Sequence, residues 1–175
     1  MKDSGTAGQA VGIVVSDDDV NKQMGVYLQS VLNSIGYKAT VKPISGNIQF
    51  TYIQNTKNKV QISVSQWYQD YPAASDFLDV LLGCASFTPN SDSSINMSGY
   101  CNKALDAKMA KAKALGLTEP VAANKMWGAI DQEVMADAPV AVVFTPKQLD
   151  FISSGTKNYV FSLQYKMFVS QLQVK

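Results

Sequence analysis

The sequence predicts an α/β fold: a mixed sheet with helices packed on it, followed by an extended C-terminal segment. An apolar strand at residues 10–15 is followed by a helical pattern and then by an alternating strand at 37–44. Strand, helix and strand joined by short connections form a βαβ unit, whose strands pair in parallel through a right-handed crossover. A second helix and a third strand follow in the same order, and further helices come later. With 175 residues, the chain can bury roughly 70% of its extended-chain surface in one core.

The predicted first helix is framed by local signals at both ends. Ser16 and the acidic run 17–19 follow the first strand. Short polar side chains cap the start of a helix, and acidic groups there are stabilised by the positive end of the helix dipole. Gly36 ends the helix as a C-cap. The apolar residues in between repeat at helical spacing and are predicted to face the core: Val20, Met24, Leu28, Val31, Leu32 and Ile35.

A second helix and a third strand complete the predicted sheet. The helix is expected over 47–54, with Phe50 and Ile53 facing inward. The run from Val60 to Trp67 alternates in polarity, which predicts a strand with one buried face. Pro72 cannot supply a ladder hydrogen bond, so the strand is expected to end before it.

A short helix is predicted after this strand. Ser75 is placed to cap it, and Asp76 and Asp79 lie in its first turn, where acidic groups are favourable. Its predicted apolar side consists of Phe77, Leu78, Leu81 and Leu82. The two acids could be read as a catalytic acid and base, but their position at a helix start explains them without catalysis. No nucleophile elbow, phosphate loop or cysteine–histidine pair occurs, so we expect no enzyme, no catalytic residue and no cofactor.

Two longer helices are predicted in the second half of the chain. One runs from Lys103 to Leu115, and the other begins near Pro120 and is closed by residues 137–139. Their inward residues are predicted to be Leu105, Met109, Ala112 and Leu115, and Met126, Trp127, Ile130 and Val134. Val140 to Phe144 is almost wholly apolar and is predicted to form a buried strand. The aromatic tail from Thr145 either pairs with another part of a parent protein or folds back as a hairpin on this domain.

The charged residues argue against several classes of partner. The 15 basic and 14 acidic side chains nearly cancel, so no field favours nucleic acid or an anionic membrane. All of the basic residues are Lys, which argues further against nucleic acid and against bidentate capture of phosphate or carboxylate. The absence of His removes the commonest general base and the commonest zinc ligand, and we expect no metal site.

The cysteines bear on the compartment. Cys84 and Cys101 flank a stretch of loop-like sequence, which suits a disulfide in an exported protein. Two free buried thiols in a cytosolic domain are the alternative. No apolar run approaches the ~20 residues of a membrane helix, and the N-terminus has no signal-peptide pattern. A chain that begins in this way, yet has features of export, is expected to be a piece of a longer protein.

The end of the predicted third strand carries the candidate ligand site. Trp67, Tyr68, Asp70 and Tyr71 lie close together where the strand gives way to a loop. Binding residues are often found on loops that a rigid scaffold positions, and an exposed strand end with aromatic rings and an acid suits a ligand. The alternative is a core Trp and a turn Asp, which residue chemistry alone favours equally.

Several short motifs follow one another in a specific order along the chain. They are Trp67-x-x-Asp70-Tyr71-Pro72, Asp76-Phe77-Leu78, Asn96-x-Ser98-Gly99-Tyr100-Cys101-Asn102 with Leu105-Asp106, Asp137-Ala138-Pro139-Val140 and Asn158-Tyr159-Val160. In this order they resemble the family 5 solute-binding proteins of bacterial ABC transporters, which include dipeptide-, oligopeptide- and nickel-binding proteins. The resemblance covers essentially all 175 residues.

The resemblance implies a fold and a domain organisation. Members of that family have two lobes of the type II periplasmic-binding-protein kind, joined by a hinge, with the ligand enclosed between them. Residues 1–145 would be the C-terminal α/β lobe. Residues 146–175 would be a terminal segment that returns toward the hinge and the missing N-terminal lobe.

The resemblance also implies roles for single residues. Trp67 and Asp70 would line the cleft, and an acid like Asp70 pairs with the α-amine of the peptide in peptide-binding members. Cysteines at the positions of Cys84 and Cys101 imply a disulfide. Dipeptide-type members hold the peptide carboxylate with Arg, which this chain lacks. This difference argues against a free dipeptide and leaves open a longer peptide held by its backbone, or another solute.

The function expected from these observations is solute capture for an ABC importer. Two lobes would close on a peptide-like solute and deliver it to the membrane permease. The protein would be extracellular or periplasmic, and its full-length parent would be lipid-anchored to the membrane. The alternatives are an interaction or enzyme domain that kept the fold without transport, or a lobe for a sugar or metal chelate.

Overall fold

Parallel strand pairing organises the first part of the molecule. The computed structural model describes residues 4–147, 149–162 and 164–174. Strand β1 (Ala10–Ser16) pairs in parallel with β2 (Lys38–Ile44) on one side and with β3 (Ile62–Ser63) on the other, in the order β2-β1-β3. Helix α1 (Asp19–Ser34) joins β1 to β2, and α2 (Gly46–Gln54) lies between β2 and β3 in the chain. The predicted βαβ unit is therefore confirmed.

Helix α1 packs on the sheet through a different face from the predicted one. Gly25 is its buried residue, and a Cβ added there would lie 2.9 Å from a methyl group of Val41. Leu28 and Leu32 pack against the same core, as predicted. The prediction was wrong for three other residues, because the close approach at Gly25 turns their side chains toward solvent: Val20, Val31 and Ile35 are exposed.

The third strand is shorter than the alternating pattern predicted. Only Ile62 and Ser63 meet β1 as a ladder, and one further bond runs from the backbone N of Val64 to the carbonyl of Val14. Beyond that point residues 65–69 belong to no strand or helix and make no backbone–backbone hydrogen bond within the described part of the chain. Residues 65–69 therefore follow the edge strand β3 as a segment with unpaired backbone groups, called the free continuation of β3 below.

A second core is formed by three helices: α3 (Ser75–Leu82), α4 (Lys103–Leu115) and α5 (Pro120–Asp137). Its buried residues are Leu78, Leu82, Leu105, Met109, Ala112, Trp127, Ile130 and Val134. Both longer helices begin as predicted, α4 at the side-chain cap of Asn102 and α5 with Pro120 in its first turn. Two predictions about α3 were wrong. Ser75 lies inside the helix, whose cap position is taken by Ala74, and Phe77 points to solvent.

The cysteines form a disulfide, as predicted, with Cα atoms of Cys84 and Cys101 4.5 Å apart. The loop that they close is organised by Asn96, which is fully buried. Its side-chain amide donates to the carbonyls of Gly83, at 3.1 Å, and Tyr100, at 2.7 Å. The alternative of two free thiols was wrong.

The segment after α5 does not form the predicted buried strand. Val142 is 82% exposed and Phe144 57% exposed, because no strand among the described residues lies beside this segment to pair with it or cover it. The tail instead forms two short antiparallel ribbons. Strand β4 (Thr156–Lys157) pairs with β7 (Gln173–Val174), and β5 (Phe161–Ser162) pairs with β6 (Lys166–Met167). Among the described helices, none has both the length and the apolar character that crossing a bilayer requires.

Alkaline pH is expected to destabilise the link between the cysteine loop and α5. The hydroxyl of Tyr100 donates to the carboxylate of Asp137 at 2.5 Å. Burial, and then this hydrogen bond, raise the pKa of Tyr100 above its ordinary value. A group whose pKa is raised on folding contributes stability below its unfolded pKa, near 10, and this contribution is lost as the pH rises through the folded value.

We therefore expect the fall in unfolding free energy above about pH 10 to be shallower in Tyr100→Phe than in the native chain. Tyr159→Phe is a second test of the same argument: a hydrogen bond to Asp150 also raises the pKa of Tyr159, so a shallower fall is expected in this variant as well. Urea unfolding at a series of pH values measures both variants. An unchanged slope for Tyr100→Phe would contradict the assignment.

Candidate functional site

A cleft of about 410 Å³ lies at the carboxyl end of the parallel sheet. Its lining comes from the junction of β1 and α1, from the start of α2, and from the free continuation of β3. The lining residues are Ser16, Asp18, Asn21, Gly46, Gln49, Phe50, Val64, Ser65, Gln66, Trp67, Tyr68 and Asp70. This set of residues is called the cleft below.

The strand order explains why a cleft forms at this place. Strand β1 is in the middle, with β2 on one side and β3 on the other. The chain passes from β1 through α1 to β2 on one side, and from β2 through α2 to β3 on the other side of β1, so the two crossovers run in opposite directions along the sheet. In open α/β sheets such a switch point leaves a crevice, and ligands bind there.

One wall of the cleft is acidic. Asp18 caps α1: its carboxylate accepts from the backbone N of Asn21 at 3.0 Å and from the side-chain amide of Asn21 at 2.7 Å. The hydrogen bond from that side-chain amide is the main cause that lowers the pKa of Asp18 to about 2. Asp18 is exposed to solvent and carries a negative charge at neutral pH.

The turns on either side of this wall are tied together. The backbone N of Gly46 donates to Oδ1 of Asp17 at 3.1 Å, which joins the start of α2 to the end of β1. A Cβ added at Gly46 would lie 2.9 Å from Oγ of Ser16. A larger residue would therefore displace the Ser16 hydroxyl and alter this end of the cleft.

Another part of the lining is aromatic. The rings of Phe50 and Trp67 stack with centroids 6.4 Å apart and planes inclined by 27°. Buried Gln49 donates from Nε2 to the carbonyl of Val64 at 3.0 Å, which holds α2 against the free edge. The indole Nε1 of Trp67 donates in turn to Oδ2 of Asp76 at 3.4 Å. The lining of the cleft therefore combines a flat apolar surface with an acidic turn.

The structure brings three of the four sequence-predicted site residues to the cleft. Trp67, Tyr68 and Asp70 line it, whereas Tyr71 lies beyond its lining. The hydroxyl of Tyr71 instead accepts a hydrogen bond from Ser75 at 3.1 Å, so this residue braces the loop against α3. The side chain of Asp70 is exposed and has no hydrogen-bond or ionic partner in the described part of the chain.

The hairpin formed by β5 and β6 contacts the same loop. Nε2 of Gln164 donates to the backbone carbonyl of Asp70, and the ammonium group of Lys166 lies 5.3 Å from the ring centroid of Tyr68. Part of the tail therefore contacts this domain through the hairpin. The return of residues 146–175 toward another lobe stays a prediction.

Sequence reasoning did not identify the other half of the cleft. Asp18 was interpreted as part of a helix start and Phe50 as an inward-facing residue, and Gly46 was given no role. The available signal was their position, since Asp18 follows one parallel strand and Gly46 follows its neighbour. Carboxyl ends of parallel strands meet at one edge, where ligands bind. Within the described ranges, no group of three or more His, Cys, Asp or Glu side chains could hold a metal ion.

Comparison with known proteins gives a family and a fold. Residues 3–89 match the family described as bacterial extracellular solute-binding proteins, family 5 Middle. No curated protein matches the sequence significantly. Several solved structures share the fold across nearly the whole chain.

Three of these structures illustrate the similarity. A dipeptide-binding protein from Pseudoalteromonas sp. SM9913 in complex with Met-Leu has a TM-score of 0.74 and 16% identity, over 96% of this chain and 32% of that protein. Burkholderia pseudomallei OppA has a TM-score of 0.76 and 20% identity, over 96% of this chain and 31% of that protein. Haemophilus influenzae OppA in complex with RPPGFSPFR has a TM-score of 0.75 and 14% identity, over 99% of this chain and 33% of that protein. The chain thus spans about a third of the length of these proteins.

The order of elements, the cleft at the switch point and the family match agree with one another. At these identities the solved structures show the fold, which is that of type II periplasmic binding proteins, and the family match concerns the sequence itself. The chain belongs to the bacterial extracellular solute-binding proteins of family 5.

Proposed function

We propose that the chain is part of the substrate-binding component of an ABC importer and captures a peptide-like solute for delivery to the membrane permease. The observation that carries the proposal is the cleft, which places Trp67, Tyr68 and Asp70 beside an acidic helix cap at a topological switch point. Similar structures contain peptides, namely STSA, Met-Leu and RPPGFSPFR.

The chemistry of the cleft suits one end of a peptide. Asp18 and Asp70 supply acidic groups for a cationic α-amine, and the stacked pair of Phe50 and Trp67 supplies a surface for an apolar side chain. Backbone groups of residues 65–69 have no backbone partner among the described residues. An extended peptide that lies along such a free edge gains main-chain hydrogen bonds whatever its sequence.

A second lobe would complete the site. We propose that residues 1–145 form the C-terminal lobe and that residues 146–175 return toward a hinge and an N-terminal lobe. Two observations support this. The chain spans about a third of similar structures, and it leaves large apolar residues uncovered, with Leu149 92% and Phe151 93% exposed. Such residues are expected to be covered by the rest of the protein.

Capture would then proceed by closure of the two lobes. A solute that contacts both lobes stabilises the closed form, and the closed form is presented to the permease. The place of action is outside the cytoplasmic membrane, in the periplasm or at the cell surface. In the latter case the full-length parent would be held at the membrane by a lipid anchor.

Peptide titration tests the proposal. Calorimetry with Met-Leu, STSA and RPPGFSPFR is performed on the complete gene product and on the 175-residue chain. We expect the complete product to bind the longer peptides better than Met-Leu, because the 175-residue chain supplies no Arg for a dipeptide carboxylate. The 175-residue chain should bind at least about tenfold more weakly, since one face of the burial is lost.

N-acetylated forms of the same peptides are the matched controls, because they lack the α-amine. Equal affinities of the two proteins would show that the site lies wholly within this chain and would contradict the two-lobe proposal. Failure of the complete product to bind any of the three peptides would contradict peptide capture.

A further inference from the structure

The first turn of α3 carries a buried acid that has no role in the function proposed above. Asp76 is 0% exposed and lies directly after the loop that carries Trp67 and Asp70. Burial of a carboxyl group is costly unless hydrogen bonds compensate for the loss of water. The partners of Asp76 therefore indicate what the burial achieves.

One oxygen of Asp76 joins the two principal candidate site residues. Oδ2 accepts a hydrogen bond from the backbone N of Asp70 at 2.9 Å and another from the indole Nε1 of Trp67 at 3.4 Å. The first bond fixes the backbone that directs the Asp70 side chain, and the second fixes the plane of the indole ring. A single acceptor thus sets the acid and the aromatic wall relative to each other.

The second oxygen of Asp76 and the start of α3 argue against a capping role for this side chain. Oδ1 of Asp76 is buried and has no hydrogen-bond partner among the described residues. The cap of α3 is Ala74, with no side-chain hydrogen bond to the first turn. Asp76 therefore does not act as a capping acceptor for its own helix. Its hydrogen bonds go to the loop. These bonds offset part of the cost of burying the unpaired oxygen.

We propose that Asp76 is the positioning residue of the solute site. It keeps the Trp67 ring and the Asp70 backbone in place before a solute arrives, so that binding does not have to order the loop. Preorganisation of this kind increases affinity by removing an entropic cost. The inference rests on the proposed function for its purpose, whereas the positioning is a property of the solute-free chain.

Two variants separate positioning from a general effect of charge at a helix start. Asp76→Asn keeps an acceptor oxygen in the place of Oδ2 and removes the negative charge. Asp76→Ala removes both. A role that depends only on the helix dipole would be lost in both variants, because it requires the charge. A role in positioning would be lost in Asp76→Ala and retained in Asp76→Asn.

The readout is solvent exchange of two N–H groups in the ¹⁵N-labelled, solute-free chain. One is the indole N–H of Trp67, identified by its disappearance in Trp67→Phe, and the other is the backbone amide of Asp70. We expect Asp76→Ala to accelerate both exchange rates at least about tenfold, and Asp76→Asn to keep both within about threefold of the native rates.

Asp79→Asn is the matched control. Asp79 lies one turn further along α3 and pairs with Lys113 at 2.6 Å, so its substitution removes a charge from the same helix without touching the loop. Both exchange rates should stay at native values in this variant. Unchanged rates in Asp76→Ala, or equal acceleration in Asp76→Asn and Asp76→Ala, would overturn the proposal.

The Asn variant decides the question alone if Asp76→Ala does not fold. Native-like exchange then supports positioning by the acceptor, and accelerated exchange overturns it. Binding of RPPGFSPFR to the complete protein is measured in parallel, with an expected loss of about tenfold for Asp76→Ala. If the native protein binds no peptide, the proposed function fails, while the exchange rates still decide whether Asp76 positions the loop.

Discussion

Replacement of Asp70 by Asn is expected to weaken peptide binding by the complete protein by about 2–5 kcal/mol. In the solute-free chain the Asp70 side chain is exposed and has no partner in the described part of the molecule. Closure of the cleft over a peptide would pair this acid with the α-amine and remove both groups from water. Asn would leave the amine enclosed without a counter-charge, which accounts for the size of the effect.

The fold should survive this substitution, because Asn is nearly isosteric with Asp and is common in turns. The backbone contacts of Asp70 with Asp76 and Gln164 do not involve the substituted carboxyl group. Calorimetry and thermal melting on one sample measure both properties, with Asp79→Asn as the charge control. Lost stability together with native affinity would make Asp70 a structural turn residue and would contradict its role in binding.

Loss of the disulfide is expected to cost about 3 kcal/mol of unfolding free energy. Cys84 and Cys101 are 17 positions apart, so the bond removes the closure entropy of a medium-sized loop from the unfolded chain. The double variant Cys84→Ser with Cys101→Ser should therefore unfold at lower urea concentration. Thiol titration of the unreduced, denatured native chain should find no free thiol.

Reductant provides the matched comparison. It should destabilise the native chain to about the level of the double variant and leave the double variant itself unchanged. Two reactive thiols in the unreduced chain, or equal stability of the native chain and the variant, would contradict the contribution of the bond. Two thiols would also weaken the case for an exported protein, since disulfides persist in oxidising compartments.

Local signals were sufficient to predict where the two longer helices begin and end. The side chain of Asn102 accepts from the backbone N of Ala104 and Leu105, and Pro120 is compatible with the first turn of α5. The βαβ unit was predictable for the same reason, because strand, helix and strand are each visible as a short periodic pattern. These features depend on neighbours in sequence.

Features that depend on distant neighbours were not predictable. The apolar run from Val140 to Phe144 predicted a buried strand, but burial needs a partner that the described chain does not supply. Gly25 carries no hydropathy signal, although its lack of a side chain decides which face of α1 meets the sheet. Ser75 has the composition of a cap, yet the loop before it places Ala74 at that position.

The candidate site was only half visible for a related reason. Trp67, Tyr68 and Asp70 are contiguous with a recognisable motif, whereas Asp18 and Phe50 reach the cleft only through the topology of the sheet. Asp76 was visible as an acid at a helix start, and its bonds to Trp67 and Asp70 required the folded loop.

Identification of the solute carried by the complete protein tests peptide capture most directly. The protein is purified from its native host without refolding, denatured to release bound material, and the released material is analysed by mass spectrometry. We expect peptides with free α-amines, and we expect them to be depleted in a parallel preparation of Asp70→Asn. Recovery of a sugar or a metal chelate in stoichiometric amount would contradict peptide capture.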